Sequence, residues 1–304
     1  MSETPRIFDS VQLRRLRDRA AMTAGNHDFL LKRVAEDFAE RLDAVQRRFA
    51  VALDLGAHHG VIGRQLAGRA GLASLISMDA SAAMLAQCGH PKVLGNPEAL
   101  PFAESQFDLV VSGLILHLVD DLPGALLQIR RILKPDGLFL GALLGGATLT
   151  ELRQAFIAAE SEIEGGVSPR VAPFADVRDL GSLLQRAGFA IPVVDADVVT
   201  VAYATPLHLM RELKAMGASN MLAERRRVPL RRATLLRAAE IYAQRFGRPD
   251  GRVTATFEII TLTGWCPHES QQKPLQPGSA KTRLADALGV PEHGTGEAAK
   301  PKPD

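Results

Sequence analysis

At 304 residues the chain has room for one large domain or two small ones, and a hydrophobic content of 46% is ample for a core. Lys plus Arg number 36 against 34 Asp plus Glu, a net charge of only +2, so no global field argues for nucleic acid or a membrane surface as partner. Two cysteines far apart, Cys88 and Cys266, exclude a disulfide scaffold, and no 18-residue apolar run predicts a membrane span. The opening Met1-Ser2-Glu3-Thr4-Pro5-Arg6 lacks the apolar core of a signal peptide, and together with the cysteine usage this predicts a cytoplasmic enzyme.

In chain order, residues 1–47 carry helical periodicity and many arginines. Leu13, Leu16 and Ala20, then Phe29, Leu30, Val34 and Phe38, predict two amphipathic helices, with Arg14, Arg15, Arg17 and Arg19 expected on a solvated face. A core follows over 48–205. Strands are expected at 50–55, 73–78, 92–95, 107–112 and 137–144, and helices at 61–69, 81–87 and 121–133, with Pro135-Asp136-Gly137 as a turn before the fifth strand. Such alternation predicts an α/β fold, a doubly wound parallel sheet with right-handed crossovers. Residues 149–188 read as two more helices and 191–203 as a valine-rich strand. The basic stretch 206–250 reads as a helical insertion over the site, 251–266 as a strand returning to the sheet, and 267–304 as a tail in which order fades.

The chemistry concentrates at Val51-Ala52-Leu53-Asp54-Leu55-Gly56-Ala57-His58-His59-Gly60. An apolar strand ends in a tight glycine turn and a helix start, where backbone N–H groups favour an anion or carboxylate. Twenty-three residues after Gly56 a second apolar run ends in Asp79, placed to accept hydrogen bonds from both hydroxyls of a ribose. The G-x-G-x-x-G spacing of dinucleotide sites is absent. The pattern Asp54-x-Gly56-x-x-x-Gly60 instead resembles motif I of class I methyltransferases, which bind S-adenosyl-L-methionine. In order after it come Asp79, the loop Gly95-Asn96-Pro97-Glu98, the strand Phe107 to Ser112 with His117 beyond it, and Leu133-Lys134-Pro135-Asp136-Gly137. This resemblance implies a Rossmann-like class I methyltransferase sheet. It implies a cofactor site made by Asp54, Gly56, Gly60, Asp79, Asn96 and Ser112, with Asn96 on adenine and His117 a catalytic candidate; a structural role for His117 is an equal alternative. His58 stands where the family has its middle glycine, and its Cβ and ring are expected to crowd the backbone next to the cofactor. His268-Glu269 is the one dipeptide suggestive of a metal ligand pair, and no facial triad is evident.

Beyond that core the resemblance narrows. Arg6-Ile7-Phe8-Asp9, Gly145 to Arg153, Glu164 to Pro169, Asp179 to Phe189, Met216 to Asn220 and Gly264-Trp265-Cys266-Pro267-His268-Glu269-Ser270-Gln271 resemble the mitochondrial respiratory complex I assembly factor 5 family and its bacterial relatives. That resemblance implies a methyltransferase fold that binds S-adenosylmethionine, an arginine-hydroxylase activity in the mitochondrial member, and a protein substrate, an arginine of a complex I subunit. It also implies peripheral membrane association through that partner. Two alternatives remain open on the residues: a carboxyl methyltransferase of the malonyl-carrier-protein type, whose acidic substrate the basic stretch Arg225 to Arg237 suits, and a non-catalytic assembly chaperone.

Overall fold

A computed structural model describes residues 6–89 and 91–272, together with 279, 282 and 284–291. Seven strands form one sheet: β1 Val51–Leu55, β2 Ser74–Asp79, β3 Lys92–Leu94, β4 Phe107–Gly113, β5 Leu133–Leu144, β6 Ala190–Tyr203 and β7 Val253–Trp265, in the spatial order β3-β2-β1-β4-β5-β7-β6. Strands β1 to β5 pair in parallel, and β7 enters antiparallel between β5 and β6. The order reverses at β1, so β1 and β4 run in opposite connectivity directions and leave a crevice beyond their carboxyl ends, where ligands of such sheets bind.

The strands read as nearly continuous apolar runs because both faces are covered. Ala52, Leu109, Val111, Leu138, Leu140 and Ala142 face one layer, built from α2 Phe29–Ala44, α3 Val61–Leu66, α6 Thr150–Ile163, α8 Pro206–Ala215 and α9 Arg232–Phe246. The alternate residues Leu53, Val110, Phe139 and Leu143 face α5 Leu122–Ile132 and α7 Val177–Arg186. Phe38 and Leu42 on α2 are buried, each side chain contributing about 1.5–3 kcal/mol.

Two short elements frame the crevice. Helix α1 Ser10–Ala20 is capped by Asp9, which accepts from the Gln12 amide, and Asp18 on it accepts from the Ser81 hydroxyl at 2.5 Å, at the start of α4 Ala82–Leu85. The Pro135-Asp136-Gly137 turn differs from expectation. It lies inside β5, with Asp136 left-handed (φ 62°) and a register shift in the β4 pairing, so the turn residues make a bulge rather than a break. Met1–His268 form one compact unit and Glu269–Asp304 a second, in which Leu284–Leu288 is a short helix, α10. The expected loss of order over 267–304 falls largely on 273–278, 280, 281, 283 and 292–304, which lie outside the described residues. Among the described residues no helix is long and apolar enough to cross a membrane.

Candidate active site

The first turn of the crevice is built by backbone contacts. The Gly56 and Ala57 amides donate to the Met78 carbonyl at 2.8 and 3.0 Å, which draws the end of β2 alongside the end of β1. The His58 amide then donates to Asp79 Oδ2 at 2.9 Å. Gly56 has φ 73°, and a Cβ there would stand 2.4 Å from Ile115 Cγ2, so both conformation and space require glycine. His58 adopts the left-handed backbone (φ 51°) that a glycine would take, at a cost of about 1 kcal/mol. Its ring turns away from Asp79, and Nε2 lies 2.9 Å from the Gly113 carbonyl; a carbonyl only accepts, so Nε2 carries the proton. The ring is thereby held against the end of β4.

Two cavities meet at this turn. One, of about 200 Å³, is lined by Leu55, Gly56, Asp79, Asn96, Glu98 and Ile115 with α1 above it. The other, of about 180 Å³, is lined by His27, Asp28, His58, His117, Phe174 and residues 216–222, where α8 ends. Arg17 lines both. It is buried (4% exposed) rather than solvated, a correction to the expectation for the arginine cluster, and its Nη2 donates to Asp79 Oδ2 at 2.6 Å. Asp79 Oδ1 accepts from the Ser81 amide at 2.8 Å. Spacing carried a signal for Arg17: Leu13, Arg17 and Ala20 share one helical face, which α1 turns inward.

The other expected residues separate into those that face a cavity and those that shape it. Asn96 lines the first cavity; its Oδ1 accepts from the Glu98 amide at 3.0 Å. His117 lines the second, its ring 5.7 Å from that of Phe174, and its Nδ1 accepts from the Leu144 amide at 3.4 Å, which puts the proton of the neutral ring on Nε2. Asp54, Gly60 and Ser112 line neither cavity. Asp54 is fully buried with both carboxylate oxygens unbonded. Gly60 (φ 82°) opens α3. The Ser112 hydroxyl is spent on the Leu55 carbonyl at 2.9 Å, tying β4 to β1.

Burial sets the charges. It pushes the Asp54 carboxyl up to about 7, with the nearby Asp79 charge adding to it. Burial and then Arg17 hold His117 down to about 3, and the same two causes hold His58 well below the usual imidazole value. Both rings are neutral at pH 7. Asp28 pairs with Lys32 at 2.8 Å and with His59 Nε2 at 3.1 Å, and Arg170 pairs with Glu160. Among the described residues no group of three or more His, Cys, Asp or Glu side chains is placed to hold a metal ion.

The family model described as a methyltransferase domain matches residues 53–141, which spans β1 into β5. Similarity continues far outside that segment. The protein named "Arginine-hydroxylase NDUFAF5, mitochondrial" from Danio rerio is 43% identical over 291 residues, covering 92% of this chain and 89% of the relative. Its Homo sapiens counterpart is 43% identical over 94% of this chain and 85% of its own length. The chain belongs to the NDUFAF5 family. Its membership explains the motifs at both ends of the chain. A malonyl-[acyl-carrier protein] O-methyltransferase from Halorhodospira halophila stands further off, at 37% identity over 78% of this chain and 81% of that protein. Among solved structures, a methyltransferase from Bacillus halodurans superposes with a TM-score of 0.53 at 17% identity, over 76% of this chain and 98% of the other. The YcgJ protein from Bacillus subtilis gives 0.54 at 14%, over 78% and 99%. These two carry the fold alone. The expected cytoplasmic location is overturned by the names of the NDUFAF5 relatives, which are mitochondrial.

This chain has the Rossmann-like methyltransferase fold, and its residues fit the cofactor of that fold, S-adenosylmethionine. A carboxylate ends β2 beside the glycine turn, an amide side chain lines the same cavity, and a buried guanidinium with an unbonded Nε pairs with the carboxylate there.

Proposed function

We propose that this chain is an S-adenosylmethionine-dependent enzyme that modifies a protein side chain, an arginine of a respiratory complex I subunit, during assembly of that complex. The observation that carries this reading is that identity with the NDUFAF5 relatives runs over more than nine-tenths of the chain. It therefore spans not only the methyltransferase core but also residues 170–172, Phe174 and residues 216–222, which wall the second cavity.

In this reading Asp79 binds the ribose hydroxyls and Asn96 the adenine edge, its NH2 group being without a partner among the described residues. The cofactor supplies an electrophilic methyl group on a sulfonium. The second cavity takes the acceptor. Leu144, Leu149, Leu152 and Phe257 give it apolar walls suited to an aliphatic stem, and the Phe174 face suits a guanidinium by cation–π attraction worth about 0.5–2 kcal/mol. His117 offers an N–H into that space and is too weak a base at pH 7 to take a proton from a guanidinium, so its part is to orient.

Mass spectrometry of complex I subunits from a strain lacking this chain tests the reading. A subunit lighter by 16 mass units at one arginine identifies hydroxylation, and one lighter by 14 identifies methylation. An unchanged subunit refutes the arginine reading. A second reading, carboxyl methylation of a malonyl-carrier protein, is favoured by the O-methyltransferase relatives and by Arg17 and Arg170 lining the cavities. Unchanged subunits together with biotin auxotrophy of the same strain would select it.

A further inference from the structure

The contact between Arg17 and Asp79 is at odds with the role of Asp79 as a ribose acid. A carboxylate offers about four lone-pair directions. Three are taken: Arg17 Nη2 and the His58 amide share Oδ2, and the Ser81 amide holds Oδ1. A ribose presents two hydroxyls and needs two of them. The His58 and Ser81 donors are backbone groups fixed by the turn and by the start of α4. Arg17 is the one partner on a rotatable side chain, so a ribose that binds Asp79 through both hydroxyls must displace it.

The displaced guanidinium has a destination. Arg17 gives Asp79 a single N–H, while its Nε is buried and has no acceptor. A guanidinium grips a carboxylate best through two parallel N–H groups, so the observed pairing leaves that capacity unused. Arg17 also stands between the two cavities. A ribose carries its base and its 5′ chain at opposite ends. With the base toward Asn96, the 5′ chain leads past the glycine turn toward His58 and Arg17. The other arginine lining the second cavity, Arg170, is committed to Glu160.

We infer that Arg17 binds the cofactor by exchange: it gives up Asp79 to the ribose and takes the α-carboxylate of the amino-acid end in a two-point grip. This rests on the S-adenosylmethionine reading above. Each charge keeps a counter-charge or hydrogen-bond donors throughout: Asp79 passes from one guanidinium N–H to two hydroxyls, and Arg17 passes from one carboxylate to another. The exchange makes affinity depend on the amino-acid tail. A nucleoside without a carboxylate must expel Arg17 and offers it nothing in return.

Calorimetry with two ligands tests this. S-adenosylhomocysteine carries the carboxylate, and 5′-methylthioadenosine shares its adenosine and lacks it. The wild-type chain is expected to bind the first at least tenfold more tightly. Arg17→Gln should lower affinity for S-adenosylhomocysteine tenfold or more, and leave methylthioadenosine unchanged or tighter because Asp79 is no longer occupied. Arg17→Lys, which keeps the charge at Asp79 without the planar fork, should fall between, and it serves if the Gln variant does not fold. Equal losses for both ligands would show the pair to be a structural ion pair and overturn the inference. Undiminished binding of S-adenosylhomocysteine by Arg17→Gln would overturn it too. If the wild-type chain binds neither ligand, the cofactor reading itself fails, and the inference falls with it.

Discussion

Burial acts with opposite sign on the carboxyl of Asp54 and on the imidazoles of His58 and His117, and the pH dependence of stability follows. Asp54 titrates near 7 in the folded chain against about 3.9 unfolded, so the stabilisation it gives by holding its proton is lost as pH rises from about 4 to 7. The histidines run the other way. Their folded values lie below about 6.5, so the unfolded chain protonates first and stability is lost as pH falls below 6.5. Each group contributes a slope of about 1.4 kcal/mol per pH unit, and two histidines outweigh one aspartate. The melting temperature is therefore expected to fall between pH 6.5 and 5. His117→Gln should flatten that fall and Asp54→Asn steepen it; the reverse ordering in a pH series of thermal melts would refute the assignment. At Asp79 the conservative Asp79→Asn is the informative change, since Asp79→Ala would strand the buried Arg17 charge at a cost of about 3–5 kcal/mol. Asp79→Asn should remain folded and lose S-adenosylhomocysteine affinity at least tenfold; retained affinity in calorimetry would remove Asp79 from the ribose. Gly56 and Asp79 were legible from the sequence because strand ends and tight turns impose local spacing. Arg17 was legible only in its spacing with Leu13 and Ala20: an arginine among arginines reads as solvated, and its burial comes with the ion pair to Asp79 at the end of β2.

At the scale of elements, the entry segment before α1 is held by a few directional contacts. The Ile7 and Phe8 amides both donate to Asp120 Oδ1, at 2.8 and 2.9 Å. The Asp9 amide donates to the Met221 carbonyl and the Ala223 amide to the Ile7 carbonyl. One carboxylate thus ties the lid of the first cavity to the connection from β4 into α5, and the segment after α8 ties it to the second. Asp120→Ala should cost about 1–2 kcal/mol of stability. It should weaken S-adenosylhomocysteine binding several-fold and speed proteolysis within residues 6–20; unchanged cleavage would show that α1 is anchored without it. The strands and long helices followed from periodicity to within a few residues. The β5 bulge did not, because Pro135-Asp136-Gly137 has the composition of a turn, and it is long-range pairing, of Cys266 with Asp136 and Gly137, that runs it on in the strand.

At the scale of the molecule, the segments read separately along the sequence fold as one unit from Met1 to His268, since α2, α6, α8 and α9 share one apolar layer on the sheet. That integration was not legible, because an amphipathic stripe shows that a helix packs and not against what. Residues 269–304 form a unit of their own, so removing 285–304 is expected to leave the melting temperature of the first unit unchanged; a fall of several degrees would show the two to be coupled.

Strand β6 closes the sheet order on one side, and 14 residues of exposed rim would ordinarily invite another chain to add itself. Its beginning resists such addition: Ile191 turns left-handed, the register slips between Ala190 and Val193, and Pro192 has no amide hydrogen to offer. Further along, Asp195 and Asp197 are held by Arg41 and Arg33 of α2, so an antiparallel copy centred there would bring aspartates against aspartates. The consequence is colloidal: neutralising both acids, rather than loosening any part of the core, is the change expected to make copies of this chain stack edge to edge, read as a rise in light scattering of the doubly neutralised variant.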